Sequence, residues 1–268
     1  MTRRGLLALA AFVAALLCAE LVARLQPAGQ EASARTLLVA ILATHASLGL
    51  AGLALAVFVP GGDPVARLGL RPGRMGRGGM VWAAVGVVAL SHALHRILAT
   101  LELRDRGTLG RIDRVVESAA QDVLGVALVA LALVALAPLI EEMLFRGLLL
   151  RALRQRLGAS LAVGLSAAGF GLFHMDLYQG GAALVLGLYL GAVALRAGSA
   201  RPAMVCHVAN NGFGVVSAAI GLQSSRGGVT LVLVLLGVSG VALWKAWRGV
   251  AEPPSPPPTR PGMQAPEE

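Results

Sequence analysis

The sequence predicts an all-α, polytopic membrane protein of about eight transmembrane helices, on three observations. Hydrophobic residues make up 56% of the 268 and charged residues only 14%, far more apolar sequence than a soluble core needs. The apolar residues fall in runs of about 20, the length of helix that crosses the hydrocarbon of a bilayer. The net charge of +9 sits in short Arg-rich segments between those runs, with little aromatic interleaving. That pattern encodes topology rather than a nucleic-acid surface, so the lipid bilayer is an expected partner and nucleic acid is not.

The elements follow in order. Residues 5–25, after Arg3 and Arg4, have the outline of a signal peptide, but so many further runs follow that an uncleaved first span is expected. Residues 37–60 and 79–99 form the second and third spans, and residues 122–146 the fourth. Residues 159–177, 180–198, 202–222 and 229–247 complete the eight, the first of these rich in Gly and Ser and read as kinked or partial. The organisation is therefore spans one to three with a loop over residues 1–119, a motif-bearing region over 120–222, and the last span within 223–251. A Pro-rich tail over 252–268 has no capacity to pack.

Basic residues cluster near positions 3–4, 67–77, 146–156, 196–201 and 245–260. Basic residues in the 96–121 loop are diluted by Glu102, Asp105, Asp113 and Glu117. By the positive-inside rule both termini face the cytoplasm of a cell membrane. Cys18 and Cys206 lie inside apolar runs and read as small buried hydrophobes, with no disulfide framework or cysteine metal site. No internal repeat is visible, and no matched pair of broken helices such as transporters carry.

The fourth run is free of charge from Val123 to Ile140 and then carries Glu141, Glu142 and Arg146. Each ionisable group near the bilayer centre costs about 2.5–3.5 kcal/mol on insertion scales, so the three need an offset. Glu142 and Arg146 are four apart with the acid first, the favourable order for an ion pair on one helix face. Glu141 points about 100° away from Glu142 on an ideal helix and is left for another role. A carboxylate in a water-poor chamber suits general-base chemistry, although both glutamates could equally be structural. Two later spans add Phe170-x-x-x-His174 and His207-x-x-x-Asn211. A single membrane histidine is most simply a helix–helix contact, and His45, His92 and His95 are read that way. A set of Glu, His, His and Asn over three spans is not so easily set aside.

Taken in order, Glu141-Glu142-x-x-x-Arg146, Phe170-x-x-x-His174 and His207-x-x-x-Asn211 resemble the three-motif signature of the CPBP family of intramembrane proteases, which includes CAAX prenyl endopeptidases and bacteriocin-processing, Abi-like enzymes. The segment Arg67-Leu68-Gly69-Leu70-Arg71 also resembles one common in that family. The resemblance implies an intramembrane catalytic chamber in which water hydrolyses a peptide bond of a membrane-associated peptide or protein. Glu141 would be the general base acting with His174, while His207 and Asn211 would stabilise the oxyanion. Glu142, Arg146 and Phe170 would give structural support. Zn²⁺ held by Glu141, His174 and His207 is a further implication, since the family is often labelled metalloprotease, but the residues also suffice for a metal-free, glutamate-activated water, and that mechanism is preferred.

The composition and topology read as bacterial, and no loop selects a substrate among leader peptides, pheromones and sorting segments. Two rivals stand beside the protease: a non-proteolytic immunity or scaffolding protein on the same fold, and a proton-coupled transporter. The assumed span limits place Glu141 and His174 roughly 15 Å apart in depth at 1.5 Å per residue. That requires either a fourth helix running on through Arg151 to Arg156 or a fifth bent at Gly164 or Gly169.

Overall fold

The computed structural model describes residues 34–58, 62–103, 108–220 and 228–251. The expected first span and the Pro-rich tail lie outside them. Every regular element among the described residues is helical: α1 (Ala34–Phe58), α2 (Pro64–Arg67), α3 (Arg77–Thr100), α4 (Thr108–Ala119), α5 (Val123–Arg154), α6 (Ala159–Phe173), α7 (Leu177–Ala197), α8 (Arg201–Ala219) and α9 (Val229–Arg248). Of these, α1, α3, α5, α7 and α9 are long and apolar enough to cross a membrane. α6 is apolar but has only 15 residues, and α8 carries His207, Asn210 and Asn211.

The fourth expected span is longer than its assumed end at residue 146, and the fifth is shorter. α5 runs unbroken to Arg154, while α6 ends at Phe173 with His174 as its C-cap. Of the two ways to bring Glu141 and His174 to one depth, the extended fourth helix is the one observed. Met175, at φ 50°, makes the left-handed turn from α6 into α7.

α5 is not a regular α-helix. Two π-helical stretches, Ala130–Leu136 and Met143–Leu149, flank the α-helical turn Ala137–Glu142 that bears both glutamates. Pro138 accounts for the first. A proline within a helix has no N–H and crowds the carbonyl of the preceding turn, and widening the ladder relieves the clash. The Ala137 N–H accordingly bonds to the carbonyl of Ala132, five residues back.

Small residues let the helices close on one another, as is usual in membranes. A Cβ on Gly49 would stand 2.9 Å from Ile140 Cδ1, and one on Gly52 2.7 Å from Leu144 Cδ2, so α1 rests directly on α5. Gly171 and Gly180 bring α6 against α7 in the same way. The Arg67–Arg71 segment docks where α5 meets the start of α8. Gly69, at φ 69°, accepts from Ala200 N–H at 2.9 Å, and a Cβ on Gly147 would collide with the Leu68 carbonyl.

At one end of the bundle the start of α3 meets the end of α9, with Met75 bridging to Val250. Lys245 Nζ lies 4.1 Å from the Trp82 ring, and the guanidinium of Arg248 3.9 Å from Trp244 and that of Arg196 5.6 Å from Trp247. At the opposite end aspartates cap helices. Asp122 caps α5 and bonds to Arg35 at 2.8 Å, and Asp176 caps α7 and accepts from both the N–H and the hydroxyl of Thr108.

Candidate active site

Glu142 and Arg146 pair at 3.1 Å, both side chains fully buried, as their four-residue spacing predicts. Arg146 also donates to the Gly187 carbonyl at 3.1 Å, and its guanidinium lies 4.5 Å over the Phe170 ring. The oxygen that meets Arg146, Oε1, also faces α8, where His207 Nδ1–H donates to it at 2.9 Å. Glu142 thus joins Arg146 to His207 and fixes the orientation of the imidazole.

Glu141 takes no part in that pairing, as its angular offset requires. Its Oε2 stands 3.7 Å from His207 Nε2, and its Oε1 is 3.1 Å from His45 Nε2 on α1. His174, at the end of α6, is held by Nδ1–H donation to the Phe170 carbonyl at 2.9 Å, and its ring lies edge-on to Phe170 with centroids 4.9 Å apart. Nε2 remains the outward nitrogen. Phe170 also meets the His207 ring edge-on at 5.7 Å, so a single buried aromatic packs on Arg146, His174 and His207.

Asn211, one turn beyond His207, donates to the Leu133 carbonyl at 2.8 Å and accepts from Asn210 at 3.3 Å. One of its two amide hydrogens is thereby used, and the other is left to donate.

Glu141, His174, His207 and Asn211 all line one cavity of about 440 Å³. It extends from Glu141 to Thr108, Arg111 and Asp113 on α4, toward the end of the bundle opposite the tryptophans. The sequence placed these four residues on three spans, and the structure gathers them round one space. His45, His92 and His95 line the same cavity; His45 makes the helix–helix contact expected of it, from α1 to Glu141 on α5, and His92 meets Phe213 of α8 edge-on at 5.7 Å. For His45 a signal was present: His45, Gly49 and Gly52 fall on one helical face, and the two glycines mark the side pressed against α5.

No group of three or more His, Cys, Asp and Glu among the described residues is placed to hold a metal ion. The Glu141, His174 and His207 set does not present itself as a converged ligand set, and no step below passes through a metal. Cys206 is fully buried and unpaired with sulfur, as its apolar neighbours predict.

Residues 123–213 match the family described as Rce1-like, type II CAAX prenyl endopeptidase Rce1-like, in agreement with the likeness of the three motifs. The matched segment runs from the start of α5 to Phe213 and includes all of them. No curated protein and no solved structure matches the chain.

Proposed function

We propose, from the premise that residues 123–213 carry the Rce1-like type II CAAX prenyl endopeptidase match, that this chain is an intramembrane endopeptidase. It hydrolyses a peptide bond of a membrane-associated peptide or protein with water activated by Glu141. The observation that carries the reading is the common cavity: Glu141, His174, His207 and Asn211 line it together, at the polar end of a Glu142–Arg146 pair that has no contact with water.

In this mechanism a water lies between Glu141 and His174 Nε2. Glu141 takes its proton as the oxygen attacks the substrate carbonyl carbon, and the carbonyl oxygen becomes an oxyanion. His207, its Nδ1–H held by Glu142, donates to that oxyanion from Nε2–H as the imidazolium, and the second amide hydrogen of Asn211 donates beside it. Such donors act strongly where water is excluded, and each is worth about 2.7–4 kcal/mol of barrier. Collapse breaks the C–N bond, Glu141 returns its proton to the leaving amine, and a carboxylic acid and an amine result. Glu142, Arg146 and Phe170 act by holding His207 and His174.

The same proposal takes α6 and α8 as partners of the five long helices in enclosing the chamber, completing eight spans with residues 5–25. Both termini are placed on the cytoplasmic side, with the basic residues and the tryptophans. The substrate is left at its chemical class, a peptide within or at the bilayer.

The test is cleavage of a peptide library by the full chain in liposomes, read by mass spectrometry, for wild type and Glu141→Gln. The expected result is wild-type cleavage lowered about 10²–10⁴-fold in the variant, the range general-base catalysis supplies. Cleavage retained in Glu141→Gln would refute the mechanism. A properly folded wild type that cleaves nothing, whose biological effect survives Glu141→Gln, would favour the scaffolding reading.

A further inference from the structure

We infer that His45 is a positioning residue for Glu141, holding Oε1 so that Oε2 is the oxygen presented to water. The inference rests on the endopeptidase reading, but the residue lies outside the segment 123–213 and on none of the three motifs.

The geometry carries it. His45 Nδ1 lies 2.9 Å from the Ile41 carbonyl of its own helix. A carbonyl only accepts, so Nδ1 bears a proton and the ring plane is set by the backbone of α1. Nε2 then meets Glu141 Oε1 at 3.1 Å. For Glu141 to be the carboxylate that takes a proton from water, Nε2 carries the proton of that contact, His45 then being the imidazolium, and the bond ties Oε1 in place. The side chains are only 12% and 9% exposed, so water competes little for the bond.

With Oε1 tied, Oε2 is the remaining oxygen, and it faces His207 Nε2 at 3.7 Å. A carboxylate held on one side cannot turn about its last bond to offer either oxygen at random. Reaction geometry is sensitive to that freedom, because a misplacement of 1 Å can cost about 10²-fold in rate.

The packing of α1 explains how His45 reaches so far across the bundle. Gly49 and Gly52 bring α1 within van der Waals contact of Ile140 and Leu144, the residues on either side of the two glutamates. His45 stands one turn before Gly49 on the same face. The Phe173 ring lies edge-on to the imidazole, at a centroid separation of 6.4 Å.

The experiment uses the full chain in liposomes with whichever library peptide the wild type cleaves. His45→Leu removes the bond to Glu141, and His45→Gln keeps a side-chain N–H of similar reach. The expected result for His45→Leu is a kcat lowered about 10²-fold with KM within about twofold, and a large part of the rate restored in His45→Gln. Thermal midpoints of His45→Leu, Glu141→Ala and the double variant should be non-additive, as they are for residues in contact. Unchanged kcat in His45→Leu would overturn the inference. Equal loss of rate in the Leu and Gln variants, matched by equal loss of thermal stability, would overturn it too, since that is what a purely structural contact gives. If the wild type cleaves nothing, the endopeptidase reading falls, and the thermal cycle decides alone whether His45 holds Glu141: coupling upholds it and additivity refutes it.

Discussion

Asn211 donates its side-chain amide to the carbonyl of Leu133 at 2.8 Å, and Pro138 is the reason that carbonyl is open to it. In an α-helix the Leu133 carbonyl would pair with the Ala137 N–H, which instead bonds to Ala132. In the π-helical ladder it would pair with residue 138, where proline has no N–H. A helix defect in α5 thus anchors a side chain on α8.

Replacing Pro138 with Ala supplies the missing N–H and a competing partner for Leu133. We expect thermal stability to hold or rise, since an interior proline costs a helix about 3 kcal/mol. Cleavage should fall, though by less than the about 10²–10³-fold expected for removing an oxyanion donor outright with Asn211→Ala. Denaturation midpoints and kcat measured together check this; unchanged kcat would mean the anchor does not matter.

Glu142 and Arg146 test a different property. Both are fully buried, and breaking such a pair leaves an uncompensated charge at a cost of about 3–5 kcal/mol. Glu142→Ala and Arg146→Met should each lower the midpoint of denaturant unfolding sharply. The double replacement Glu142→Ala with Arg146→Met should lose less than the two singles predict.

Metal dependence is decided by chelation. The geometry predicts cleavage that survives a strong chelator, because among the described residues no three His, Cys, Asp or Glu side chains are placed to hold a metal ion. Cleavage abolished by chelator and restored by Zn²⁺ would make His174 and His207 ligands instead.

Asp176 gives the pH prediction. Partial burial raises its pKa, but the N–H groups of Gln179, Thr108 and Tyr178 and the Thr108 hydroxyl outweigh that, and the net shift is downward. A carboxylate with a depressed folded pKa stabilises fully above its unfolded value of about 3.9, and the contribution fades as pH falls through the lower, folded value. Asp176→Ala should therefore cost about 1 kcal/mol near neutrality, as for loss of an N-cap. The gap to wild type should close in strong acid, as a melting series against pH would show.

Much of this was legible in the sequence because lipid penalises polar groups so heavily. Glu142 and Arg146 could be paired from spacing alone, and Glu141 could be excluded from that pair by its angle on the helix. The end of α5 was legible only as one of two alternatives, because charge returns at Arg146 while the backbone continues as helix to Arg154, where basic residues reach a polar boundary. Periodicity also hides the π-helical stretches, since Pro138 marks a break without saying whether the helix kinks or widens. His45 could be read as a helix–helix contact, which it makes, but its partner Glu141 was not legible, because hydropathy scores a residue singly whereas that contact depends on Gly49 and Gly52 bringing α1 onto α5. The Arg67–Arg71 motif could be noticed but not explained until Gly147 and Ala200 were seen beneath it.

All three tryptophans of the chain stand at one end of the bundle, each beside a cation. Indole and basic groups together favour the headgroup layer, so they act as a waterline that fixes how deep the helices ride and, with them, the depth of Glu141. The same asymmetry makes the protein its own optical depth gauge. In vesicles with a quencher in one leaflet only, the intrinsic emission dims from one side and stays bright from the other, and so reports which way the chain is inserted.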